Sequence, residues 1–247
     1  LNASIEALLY KMVVLNSGQT PMSIRHQIEI LNKPFKEDFE ALTNNKTEVY
    51  TWRNKNTKRQ KSQQYNLSDL VEFFISFSTS KPYVDKNNLI VEQIEKIDFL
   101  NEYSGLKDKY GNDDILFNEF VNTITKFDDL LCKKYPGNKP YKSGDFLMRS
   151  NTFLSGFFAA FGKALNLGGD LFKEKRNLLF NIINSTNEDP MNLNELNDIM
   201  IDLRSKSKRF GDTERQFYFD AFKSFINNRE QQKEFKEFWT EAIPNII

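Results

Sequence analysis

Five cations stand close together in an otherwise charge-balanced chain. Arg53, Lys55, Lys58, Arg59 and Lys61 lie between positions 49 and 67 with no Asp or Glu among them, and Tyr50, Trp52 and Tyr65 flank them. Cations that neutralise phosphates, set beside aromatic rings that stack on bases, are a composition that nucleic-acid binders use. Trp52, Arg53, Lys55, Lys58, Arg59 and Lys61 are therefore candidate nucleic-acid-binding residues. The competing reading is a solvated loop, because charged loops are common. A second basic cluster, Arg204, Lys206, Lys208 and Arg209, joins the candidates. It falls at a helix end, where cations are favoured by the negative end of the helix dipole whatever else they do.

Other chemistries find less support. The chain holds one Cys, Cys132, and one His, His26. No disulfide can form within it, which suits a reducing cytosol, and a Cys/His zinc site has too few ligands. Cys132 ends an amphipathic pattern and reads as a small core thiol. His26 lies at the side of an apolar stripe and reads as a surface or boundary residue. No phosphate loop, dinucleotide fingerprint or zinc-protease motif occurs. The two glycines of "LGGD", at 167–170, precede a helix start, which can bind anions, but Gly is also the usual residue past a helix end. The adjacent acids Asp113-Asp114, Asp128-Asp129 and Glu188-Asp189 point in different directions on a helix, so they read as caps and solvated faces. No cofactor, metal or catalytic set is expected.

The elements that must carry these residues are helical. Lys plus Arg equals Asp plus Glu at 34 each, so bulk charge predicts no partner and only local clusters matter. Phe numbers 23 against 10 Gly and 7 Pro, which favours well-packed helices over a turn-rich β fold. Apolar residues at helical spacing predict helices in the first forty or so positions, with Ile5, Leu8, Leu9 and Met12, then Ile24, Ile28 and Leu31, then Phe35, Phe39 and Leu42. Residues 43–66 lack that period and read as a long basic loop, with one short strand at 49–53. Helices are predicted again from 67 to near "STSKPY" at 78–83, from 89 to 103, from about 113 to 134, from 145 to 165, from 170 to about 184, and over 192–204, 213–227 and 229–242. The longest apolar stretch, "FLSGFFAAFG" at 153–162, is far short of the ~20 residues a bilayer span needs. It reads as the central buried helix, with Ser155, Gly156, Ala159, Ala160 and Gly162 small enough to let neighbours approach. Phe157 should be deeply buried there, and Asp170 should cap the following helix.

The opening joint, "VLNSGQTPMS", carries the one family resemblance. A helix ends at Asn16, Ser17 and Gly18, and Thr20, Pro21, Met22 and Ser23 open the next. Residues 5–31 resemble a segment of the ParB-like family of proteins with an Asp-Gly-Gln-Gln-Arg motif, which includes GmrSD-type restriction enzymes and phage-defence proteins. Gln19 stands where that family has a second glycine. The family's motif belongs upstream of this joint, so the resemblance implies the C-terminal helical portion of such a protein, and it carries over no catalytic residue. A start at Leu1 without Met fits a fragment, a processed product or a domain of a longer chain.

The sequence thus predicts an all-α fold, an irregular bundle of about ten helices. A helical subdomain at 1–135 carries the basic loop 43–66. A Phe-rich helical subdomain at 141–247 follows the "YPGNKPYKSG" linker, and the two share a core. The expected function is a nucleic-acid-associated, cytoplasmic helical protein or fragment, itself non-catalytic. The alternative is a helical protein–protein adaptor using an exposed Phe patch. The expected partners are DNA, another protein chain or a missing N-terminal domain, and no membrane.

Overall fold

The structure, a computed structural model, describes residues 67–82, 115–135, 150–206, 211–228 and 234–243. Seven helices and no strand occur among them: α1 (Leu67–Thr79), α2 (Ile115–Lys134), α3 (Asn151–Leu167), α4 (Gly169–Ile183), α5 (Leu193–Lys206), α6 (Gly211–Asn227) and α7 (Phe235–Ala242). The described part of the chain is predominantly helical, as the apolar spacing predicts. The helices expected before residue 43, the loop 43–66, the strand at 49–53, the helix at 89–103 and most of the linker lie outside the described residues. None of the described helices is long and apolar enough to cross a membrane.

The chain divides into two compact units, Leu1–Glu72 with Val84–Leu116, and Phe73–Tyr83 with Phe117–Ile247. The described residues of the first unit are 67–72 and 115–116, the openings of α1 and α2. All other described residues belong to the second.

In the second unit α3 is the buried axis. Its start is set by Ser150, which is extended (φ −71°, ψ 155°) and whose Oγ accepts from the Phe153 N–H at 3.2 Å. A hydroxyl in that position satisfies one of the orphan donors of the first turn. The helix therefore begins at Asn151, six positions later than the apolar pattern from 145 suggests. Phe153, Leu154, Phe157, Phe158 and Phe161 are all buried, Phe157 completely. Phe157 stacks on Phe127 of α2 at 4.0 Å and meets Phe222 of α6 edge-on at 5.0 Å. Phe158 packs against Phe120 of α2 and against Phe73 and Phe77 of α1. The helices on either side of the linker are thus joined by aromatic contacts.

Small residues decide where backbones cross. A Cβ on Gly156 would lie 2.7 Å from the Tyr218 Cβ and 2.8 Å from the Arg215 carbonyl oxygen, so α6 lies directly on α3 there. A Cβ on Gly162 would collide with the Phe77 carbonyl, which fixes the approach of α1. Both are among the small residues expected to admit neighbours.

The remaining helices close around this axis. Gly168 separates α3 from α4, its N–H bonded to the Ala164 carbonyl at 3.1 Å. The expectation that Asp170 caps α4 is not met: Gly168 holds the cap position, and Asp170 lies within the first turn, where its charge still complements the positive helix end. Before α5, Asp189 accepts from the Leu193 and Asn194 N–H groups at 2.8 and 3.1 Å and from the Tyr135 hydroxyl at 2.5 Å. Lys134 reaches the Ser185 and Asn187 carbonyls, and the Trp239 indole of α7 donates to the Met191 carbonyl at 3.3 Å. The α4–α5 connection is therefore fastened from two sides. Asp189 is a cap, as read from sequence. Asp128 is not on a solvated face, being buried to 1% exposure, while its neighbour Asp129 is exposed. Adjacent helical positions point apart, so one acid of the pair turned inward with the apolar stripe of α2.

Candidate functional site

Where α3 and α6 begin and α5 ends, the described residues gather a set of interlocked polar side chains. Glu214 lies in the first turn of α6, in phase with Tyr218, Phe222 and Phe225 on the helix's buried stripe. Residues three and four apart share a helix face, so this acid is carried inward by the same periodicity that buries the rings. Its side chain is 1% exposed. A buried carboxylate is tolerable only with charge and hydrogen-bond partners.

Arg204 supplies them from the last turn of α5. Its Nε donates to Glu214 Oε2 at 2.9 Å and its Nη2 to Oε1 at 2.7 Å. This is the two-pronged geometry that suits a guanidinium to a carboxylate. Thr152 Oγ1, on the first turn of α3, donates to Glu214 at 3.2 Å and lies 2.9 Å from Ser150 Oγ. The Tyr218 hydroxyl donates to the same carboxylate. Beside them, Arg215 spans Asp212 at 3.1 Å and the Asn151 side-chain oxygen at 2.7 Å.

Burial pushes the Glu214 carboxyl above its ordinary value, against the opposing pull of the Arg204 charge and the hydrogen bonds from Arg204, Thr152 and Tyr218. Burial likewise raises the Tyr218 hydroxyl, and the Glu214 charge adds to that. Both helix dipoles favour the pair, since Glu214 is at the positive end of α6 and Arg204 at the negative end of α5. The arrangement can fasten three helix ends to one another. A carboxyl held away from its ordinary value in a polar cluster is also the kind of group that functional sites use.

The ten residues singled out from sequence fare differently. Trp52, Arg53, Lys55, Lys58, Arg59 and Lys61 lie outside the described residues, as do Lys208 and Arg209. Arg204 is turned toward Glu214, with 37% of its side chain still exposed. Lys206 is exposed and pairs with Asp202 one turn earlier at 2.5 Å. The structure thus separates two members of one sequence cluster: one cation joins helices, the other sits on the surface. The sequence motifs do not single out Glu214, Thr152 and Tyr218. The available signal was an acid on the apolar face of α6, four residues before Tyr218.

No group of three or more His, Cys, Asp or Glu residues that could hold a metal occurs among the described residues. No protein-family model, curated protein or solved structure matches the chain.

Proposed function

We propose that this chain is a nucleic-acid-associated helical protein, an irregular bundle of about ten helices that is cytoplasmic and not catalytic by itself. Its opening joint resembles the C-terminal helical part of GmrSD-type restriction and phage-defence proteins. The observation that carries the reading is the run of Arg53, Lys55, Lys58, Arg59 and Lys61 without an acid, beside Trp52 and Tyr65. Each phosphate such cations neutralise releases counterions, and binding then weakens steeply with salt. Lys206, Lys208 and Arg209 are secondary contacts in this reading. Arg204 contributes less, because taking it for a phosphate would leave a buried carboxylate without its counter-charge. The Glu214 cluster is read as a clamp between helix ends.

The adaptor alternative needs an exposed Phe patch. Among the described residues the exposed large apolar side chains are Leu167 and Ile201, and most of the Phe side chains lie in the core, with Phe180 half-buried, which favours the nucleic-acid reading.

Fluorescence anisotropy with labelled DNA across a salt series tests it. The wild type should bind at low salt with a steep salt dependence. Replacing Lys58, Arg59 and Lys61 together with Ala should weaken binding and flatten the slope by up to about three phosphate equivalents, with the melting temperature nearly unchanged. Absence of binding by the wild type at low salt would dismiss the reading in favour of the adaptor.

A further inference from the structure

We draw no further inference here: the strongest candidate, the cluster of Glu214, Arg204, Thr152 and Tyr218 where α3 and α6 begin and α5 ends, belongs to the site already described, and what would set it apart from an interhelical clamp is a pKa shift alone.

Discussion

At its N-terminal end α3 meets its neighbours through Asn151, Thr152 and the Arg204–Glu214 pair. Along its middle and toward its C-terminal end it meets them through rings and missing side chains, with Phe157 between Phe127 and Phe222, and Gly162 under the Phe77 carbonyl. The two regions respond to different perturbations. Apolar packing is sensitive to volume and carries no group that titrates. The polar end is sensitive to the loss of one partner, because a buried charge left alone costs more than the pair contributes. The comparison teaches that α3 is positioned by shape over most of its length and by charge at one end.

The largest effect should come from the apolar region. Phe157 is fully buried and touches rings on two other helices. Phe157→Ala should therefore cost about 3–5 kcal/mol through lost burial and a residual cavity. Chemical denaturation measures it, and a loss below about 1 kcal/mol, as for a surface site, would break the account of this region. Gly162→Val tests shape in the opposite direction. The atom in the way is a backbone carbonyl, so relief requires moving a helix. We expect a cost of about 3 kcal/mol, at the upper end of overpacking. A variant as stable as the wild type would show that α1 can move away freely.

Arg204→Ala comes next. It leaves Glu214 buried without its guanidinium, but Arg204 is partly solvated, so the penalty is discounted to about 1–3 kcal/mol. This penalty should depend on pH. Burial holds the folded Glu214 carboxyl above the unfolded value, so the native state binds the proton more tightly. Its contribution is complete below the unfolded pKa and is lost as pH rises through the folded one. Stability of the wild type relative to Glu214→Gln should thus fall as pH rises through that window. In Arg204→Ala the fall should be larger, since the opposing pull on the carboxyl is gone. Urea melts of the three proteins across a pH series that starts below the ordinary carboxylate range and rises to neutrality check the sign, and parallel pH profiles would remove Glu214 as their source.

The smallest effect is the sharpest contrast. Lys206 is two residues from Arg204 and belongs to the same basic cluster, yet its pair with Asp202 is exposed and within one helix. Lys206→Ala should change stability by no more than about 0.5 kcal/mol. If it matched Arg204→Ala under identical conditions, the distinction between joining and surface cations would fail.

Much of this was legible from residue spacing. The stripe Phe120, Ile124, Phe127 and Leu131 predicts α2, and the same period places Phe157 inside and marks Gly156 and Gly162 as points of close approach. These are local properties: a helix of 3.6 residues per turn turns sequence order into faces without reference to the rest of the chain. The candidate site was only half legible. Arg204 was visible as a cation at a helix end, but its partner was not, because a guanidinium reads identically in sequence whether it is solvated or bound. The start of α3 at Asn151, the inward turn of Asp128 and the meeting of Arg204 with Glu214 and Thr152 were decided by tertiary structure. Each depends on which helix ends come together and how much water remains between them, and burial is what converts an ordinary charge into one that must have a partner.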